Sequence, residues 1–222
     1  MKNMKKYLLL LVALLLVGVV SVAGTLAYLT ATTGKVENTF VIGTLFADDP
    51  SNPDKPNDPT DDIGLTLAEH KATYAGNGVY SLSQTEEVTE NTYNKILPGV
   101  DVAKDPFVRV NGLQVDAYLF IEVIDELGDG LTATVDDANW INTNLTGSKG
   151  GTVYVYAKNG GVITGKLAAT NILKDNKITV SGNYNSATTT KISFYGYMIQ
   201  AAGISYEEAC EELGFVEVIP TP

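Results

Sequence analysis

The chain has 222 residues, with 26 acidic and 15 basic side chains, one cysteine and a formal net charge of −11. This length allows one domain of ordinary size after a leader is subtracted, or one domain with a large insertion. The acidic balance argues against nucleic acid and anionic lipid as partners, and the single cysteine excludes an intramolecular disulfide.

Residues 1–27 have the organisation of an export signal. Three lysines lie among the first six residues, and an almost wholly aliphatic run, 8–23, follows them. Small residues then suggest a signal peptidase site, so we predict cleavage after Ala27, which leaves Tyr28 as the mature N-terminus. The mature chain would carry 12 basic and 26 acidic residues, a formal charge of −14. An earlier cut after Ala23 and a retained membrane anchor are the alternatives.

Short β-rich runs separated by Gly, Asn, Asp and Pro follow the leader, which is typical of an all-β sandwich or barrel. Their number is enough for two packed antiparallel sheets. The predicted strands are 38–46, 78–84, 105–112, 117–125, 131–136, 152–158, 177–182, 190–201 and 215–219.

The strand 117–125 illustrates the expected alternation of side chains. Because successive side chains of a strand point to opposite faces, Leu119 and Ile121 are expected on a core face. Phe120 and Glu122 are then expected on a half-exposed face.

One short helix is predicted near the C-terminus and another around 136–145. In the first, Ser205 and Glu208 have the S-x-x-E spacing of a capping box, and Gly214 is placed to end the helix. Cys210 lies inside this helix, where a small buried residue is expected. An exposed thiol that makes dimers is the alternative.

The segment 47–63 is dense in Pro, Asp and Asn, and we predict that it is an acidic, solvated loop. Its acids lack the ligand spacing of a calcium loop, and Pro interrupts them repeatedly. A solvated insertion is therefore favoured over a calcium site.

No catalytic motif or cofactor site is visible in the sequence. His70 is the only histidine, so a zinc site of the H-E-x-x-H type cannot be built, and we expect His70 on the surface of a loop or helix. No nucleophile elbow surrounds any serine. The NGG run at 159–161 reads as a hairpin turn. These observations favour a protein that is not an enzyme and holds no cofactor or metal.

Three stretches carry motifs that occur together in a known family. They are GTLAYLT followed by ENTFVIGTL at the signal junction, ILPGVDVAKDPFVRVNGLQVDAYLFIEV at 96–123, and SFYGYMIQAAGISYEEA at 193–209. Together they resemble the TasA/camelysin family. The chain departs from the family pattern at DPFVRVNG and in the acidic insertion. The positions that match the family motifs are Asn38, Phe40, Gly43, Pro98, Gly99, Lys104, Pro106, Asn111, Gly112 and Gln200.

The resemblance implies a jelly-roll-like β-sandwich that a Gram-positive bacterium secretes to its surface or extracellular matrix, after cleavage by a SipW-type signal peptidase. It implies biofilm matrix fibres in which the freed N-terminus of one subunit adds as a strand to the next, so that self-association is expected. An accessory matrix or anchor protein is a further candidate partner. Residues 37–222 would then form the β-sandwich domain. The protein would contact the membrane only through the uncleaved leader. The donor segment would be 28–36, which includes Tyr28, Leu29, Thr30 and Val36.

Donor-strand addition is physically sound, because an extended peptide satisfies the unpaired backbone groups of an open sheet edge. Head-to-tail addition does not close, so it makes filaments. One alternative is a monomeric surface-binding module that uses exposed tyrosines at 154, 156, 195 and 197. The other is a camelysin-like protease, against which the single His70 argues.

Overall fold

The computed structural model describes residues 30–34, 37–41, 45, 64–185 and 190–217. Within these ranges no helix is long and apolar enough to cross a membrane. Several sequence-based predictions fall outside them: the export signal, the cleavage site at Ala27 and Tyr28, the acidic loop 47–63, and the motif or donor positions Leu29, Val36 and Gly43.

The described part of the chain consists of strands and one α-helix. The strands are β1 (Thr30–Gly34), β2 (Glu37–Val41), β3 (Gly64–Gly76), β4 (Val79–Val88), β5 (Val102–Ala103), β6 (Phe107–Asn111), β7 (Ala117–Glu126), β8 (Leu131–Val135), β9 (Trp140–Thr146), β10 (Thr152–Tyr156), β11 (Val162–Ile163), β12 (Leu167–Asn171), β13 (Leu173–Val180), β14 (Lys191–Gln200) and β15 (Val216–Glu217). The helix α1 spans Tyr206–Glu212.

The strands form one large sheet and two small ones. The large sheet has the order β15-β9-β10-β7-β14-β1-β2, and β11 also pairs with β7. The small sheets have the orders β12-β6-β3-β4 and β5-β13-β8. The described pairs are antiparallel. The all-β, sandwich-like fold predicted from the sequence is confirmed.

The main core lies between the inner face of the large sheet and the two small sheets. Leu119 and Ile121 of β7 and Met198 of β14 contribute from the large sheet, while Val108 of β6 and Ile178 of β13 contribute from the small ones. The predicted core face of β7 is therefore confirmed.

The outer face of the large sheet carries a second core, which corrects the prediction of a half-exposed face. Phe120 and Glu122 of β7 are fully buried. Phe120 packs in a cluster with Ala209 of α1 and with Phe215, which follows that helix. Because a distant helix covers this face, the alternation within β7 alone could not reveal its burial.

The C-terminal helix forms as its sequence indicates. The side chain of Ser205 accepts a hydrogen bond from the backbone N–H of Glu208, whose carboxylate accepts one from the backbone N–H of Ser205. Gly214 follows the helix with a φ of +73°, a backbone conformation that favours glycine. Cys210 is buried, as expected, and burial raises the pKa of its thiol.

Two local predictions are wrong. The segment predicted as a second helix contains β9, in which Trp140 lies opposite Tyr156 of β10. Pairing with β10 and burial of the Trp140 ring in the main core decide the conformation there. The NGG run is a single 3-10 turn and not a hairpin turn, because β10 and β11 on either side of it both pair with β7.

Candidate functional site

The N-terminal strand β1 lies inside the large sheet, between β14 and β2. Its register with β14 runs from Thr30 opposite Ile199 to Thr33 opposite Gly196. On its other side, β1 forms a hairpin with β2. The last opposed pair, at the turn of this hairpin, is Gly34 with Glu37. The strand thus covers the edge of β14 with its own backbone.

The edge that β1 covers belongs to a strand buried on both faces. Met198 lies in the main core and Ile199 in the outer core, and both are fully buried. A bare β14 edge would present unpaired N–H and C=O groups beside apolar side chains, which is a ready template for another strand. This edge therefore favours pairing with another strand.

Leu45 anchors the chain shortly after the hairpin. Its side chain is buried in the main core, and its carbonyl oxygen accepts a hydrogen bond of 2.8 Å from the backbone N–H of Gln114. Three residues, 42–44, separate this anchor from the end of β2 at Val41. The hairpin and the body of the domain therefore meet at a short connection.

A cavity of about 710 Å³ adjoins the start of β14. Its lining includes Leu67 of β3, Val102 of β5, Ile178 of β13, and Ile192 and Phe194 of β14. Since β1 reaches only as far as Gly196, the part of β14 that borders the cavity has no second neighbouring strand within the described ranges.

A buried ion pair lies in the wall of this cavity. Lys104 Nζ and Glu69 Oε2 are 2.6 Å apart, and the two residues are only 7% and 5% exposed. The ammonium group also lies 5.7 Å from the ring centre of Tyr93 and 5.9 Å from that of Phe194. Lys104 therefore joins the small sheets to β14 through one carboxylate and two aromatic rings.

Tyr93 closes one side of this group. Its hydroxyl donates a hydrogen bond of 3.1 Å to the carbonyl oxygen of Ala103. Burial, together with the nearby carboxylates of Glu69 and Asp105, raises the pKa of Tyr93 well above its usual value. The phenol is therefore neutral near pH 7 and acts as a fixed donor.

His70 lies on β3, which corrects its placement on a loop or helix surface. Its Nδ1 is 2.6 Å from Asp105 Oδ2, and its backbone N–H donates to the other oxygen of that carboxylate at 3.0 Å. The ring also packs 5.4 Å from that of Phe107. Asn91 holds the same stretch, because its amide donates to the carbonyl oxygen of His70 and accepts from the N–H of Ala72. The backbone N–H, the carbonyl oxygen, Nδ1 and the ring of His70 thus each have a structural contact.

This polar cluster does not assemble a recognisable reaction centre. In the part of the chain that the structure describes, no three His, Cys, Asp or Glu side chains are placed to hold a metal ion. The hydrogen bonds of His70 and Asp105 described above join them to each other and to Asn91, and include no hydroxyl or thiol. The arrangement braces β3, β6 and the segment between β4 and β5.

The family-motif positions near the cavity have clear structural roles. Pro98 and Gly99 form a turn in which the N–H of Val100 donates to the carbonyl oxygen of Leu97, and Gly99 has a φ of +75°. Lys104 forms the buried ion pair described above, and Pro106, immediately before β6, also lines the cavity.

The remaining motif positions lie elsewhere. Asn111 ends β6, and Gly112 follows it with a φ of +70°. Gln200 ends β14 opposite Ala117, far along the strand from the cavity. The two positions in β2 pair with β1: in the register of the two strands, Asn38 lies opposite Thr33 and Phe40 opposite Ala31.

The tyrosines considered for an exposed binding face do not form one. Tyr156 and Tyr197 are buried, and Tyr154 and Tyr195 are half-buried. Tyr197 donates a hydrogen bond to the buried carboxylate of Glu122. These side chains therefore belong to the packing of the sandwich.

Sequence reasoning missed two parts of the site. It did not assign β3, although its LTLAEHKATY run alternates apolar and polar residues over part of its length. It also could not find Glu69 as the partner of Lys104, since 35 residues separate them in the chain. Two signals could have indicated a strand: the alternation in β3, and the Asn77-Gly78 turn, with positive φ at both residues, that joins β3 to β4.

Comparison with known proteins provides no assignment. The chain matches no protein-family model, and no curated protein or solved structure is significantly similar to it.

Proposed function

We propose that the chain is a secreted structural protein that polymerises into extracellular fibres, such as those of a biofilm matrix, by donor-strand complementation. Cleavage after Ala27 would free the N-terminal segment, and its β1 strand would pair with β14 of a neighbouring subunit. The observation that carries the proposal is the position of β1, which fills a slot between β14 and β2 of the large sheet.

The slot favours exchange between identical chains, because a second copy offers the same β14 edge in the same register. The pairs that β1 makes with β14 within one chain can be remade between two chains at little cost in hydrogen bonding. A subunit that donates its strand forward and receives one behind forms an open series. The resemblance to the TasA/camelysin family supports this reading, and a SipW-type peptidase would release the subunit.

The proposal requires the backbone N–H groups of β1. Thr32 lies opposite Tyr197 of β14 and Thr39 of β2, so its N–H faces a neighbouring strand on one side or the other. A subunit in a filament needs β1 docked on β14, whereas a free subunit can leave β1 undocked. Thr32→Pro removes this donor and should therefore lower filament mass by roughly tenfold, the effect of about 1.4 kcal/mol on the docking of β1. Negative-stain electron microscopy and sedimentation of the chain without residues 1–27 measure this.

Thr32→Ser is the matched control, since it keeps the N–H, and it should form filaments like the wild-type chain. Deletion of residues 28–36 should abolish them, while circular dichroism should still report a folded β protein. Equal filament formation by the deletion variant and the wild-type chain would refute donor-strand complementation.

A further inference from the structure

The hairpin of β1 and β2 behaves as one unit in the sheet. The two strands share five opposed residue pairs, from Thr30 opposite Val41 to Gly34 opposite Glu37. By contrast, β1 shares four pairs with β14. Among the described residues, β2 pairs with β1 alone. The hairpin therefore lies at the end of the sheet and can leave it without separating any other strands.

The number of broken pairs differs between two ways of exchange. If β1 moves to a neighbour and β2 stays behind, all nine opposed pairs of β1 must separate first. If the hairpin moves as a whole, the five pairs within it persist and only the four with β14 are broken and remade. Backbone hydrogen bonds dominate such strand pairing, so exchange of the hairpin has the smaller barrier.

The lengths of the connections favour the same unit. Two residues lie between Gly34 and Glu37, so these ends can be at most about 11 Å apart. If β1 and β2 lay in different subunits, two sheet edges would have to abut within this distance. If the hairpin moves as a whole, the connection that crosses between subunits runs from Val41 to the buried anchor Leu45 and can span at most about 14 Å, so it tolerates a wider gap between the two subunits.

We infer that the unit exchanged between subunits is the whole β1–β2 hairpin, residues 30–41, with Leu45 remaining in the core of its own subunit. This inference rests on the proposed function, and its partner is a second copy of the chain. In the filament, each β14 would pair with β1 of the preceding subunit, and β1 would keep β2 of its own chain beside it.

A cysteine pair within the hairpin tests this inference. Thr33 and Asn38 are directly opposed, and the Cα atoms of opposed residues lie about 4.5–5.5 Å apart, within the range of a disulfide. Thr33→Cys/Asn38→Cys, without residues 1–27, should form filaments equally well when the disulfide is closed and when it is reduced. If only β1 moves, the closed disulfide should block assembly and a reductant should restore it.

The same variant gives a second measurement after assembly. Filaments formed under reducing conditions are oxidised, dissolved in SDS without reductant and separated by size. If the hairpin is exchanged, the two opposed cysteines belong to the same chain, and the oxidised filaments should give monomers. If β1 alone is exchanged, the opposed cysteines belong to neighbouring subunits, and the disulfides should give a covalent ladder. Single-cysteine variants and Thr32→Cys/Thr39→Cys, the adjacent opposed pair, serve as controls, and the native Cys210 is buried.

The outcomes separate the two proposals. If the wild-type chain forms no filaments, the proposed function fails and the exchange of the hairpin fails with it. Two results with a wild-type chain that forms filaments would overturn the hairpin inference alone. One is a covalent ladder from both double-cysteine variants. The other is assembly of both variants only when their disulfides are reduced. Monomers from oxidised filaments of either pair support it when thiol titration shows that the two engineered cysteines are no longer free.

Discussion

Replacing Lys104 with methionine should lower the free energy of unfolding by roughly 3–5 kcal/mol, the range found when one partner of a buried ion pair is removed. Lys104 Nζ is 2.6 Å from Glu69 Oε2, and both side chains are less than a tenth exposed. Methionine keeps most of the length of the lysine stem but leaves the carboxylate of Glu69 buried without its cation. Chemical denaturation followed by circular dichroism measures the loss.

Two control variants identify the cause. In Lys104→Met/Glu69→Leu both charges are absent, so most of the stability should return, because a buried ion pair replaced by apolar side chains is often neutral. Lys71→Met removes a pair of similar length, 2.7 Å, between exposed side chains of β3 and β4, and should change stability by less than about 1 kcal/mol. If the double variant is as unstable as Lys104→Met, the unpaired carboxylate is not the cause.

Replacing Glu122 with alanine should destabilise the fold by roughly 3–5 kcal/mol, because it leaves several donors without their acceptor. One carboxylate oxygen of the fully buried Glu122 accepts hydrogen bonds from the backbone N–H groups of Lys149 and Gly151, at 2.9 and 2.7 Å. The other accepts from the hydroxyl of Tyr197 at 2.5 Å. Glu122→Gln retains an acceptor and should cost about half as much. Thermal and urea unfolding give the comparison.

Gly147 provides a coupling test for the same group. A Cβ atom at Gly147 would collide with the carboxylate of Glu122, so Gly147→Ala should be destabilising by itself. In the Glu122→Ala background that collision is absent, and the same substitution should cost at least about 1 kcal/mol less. Glu126→Ala is the control. Glu126 lies on the same strand as Glu122 and forms an exposed ion pair with Lys191 of β14, so its replacement should have little effect on stability. Strict additivity of Gly147→Ala and Glu122→Ala would contradict the proposed contact.

These two groups hold opposite faces of β14, the strand on which the proposed exchange depends. Lys104 lies close to the ring of Phe194 in the inner core, and Glu122 accepts a hydrogen bond from Tyr197 on the outer face. Both contacts belong to β14 and neither involves β1 or β2. We therefore expect β14 to remain fixed in the body of the domain when its edge is vacated and filled again.

Local signals in the sequence predicted much of the fold. Alternating apolar residues located β7 and β14, and the spacing of Ser205 and Glu208 located the helix together with its cap. These features depend on residues close together in the chain. Segments whose conformation depends on distant contacts were missed or misassigned: β3 pairs with β6, and Trp140 of β9 is buried in the main core.

The site was less predictable for the same reason. Lys104 was noted only as a position that matches a family motif, and its burial and its partner Glu69 come from the packing of two sheets. Glu122 was expected at a half-exposed face, because nothing within β7 indicates that the loop at 147–151 folds over it. The sequence indicated an extended propensity for residues 28–36, of which the structure describes 30–34 as β1, but it did not indicate the order β14-β1-β2.

Cryo-electron microscopy of filaments grown from the chain without residues 1–27 is the most direct test of assembly by strand exchange. We expect β1 of each subunit to lie beside β14 of the next, in the register that places Thr30 opposite Ile199, with β2 of the donating chain on its other side. Filaments in which every β1 stays paired with β14 of its own chain, and in which the subunits are joined through other surfaces, would contradict donor-strand complementation.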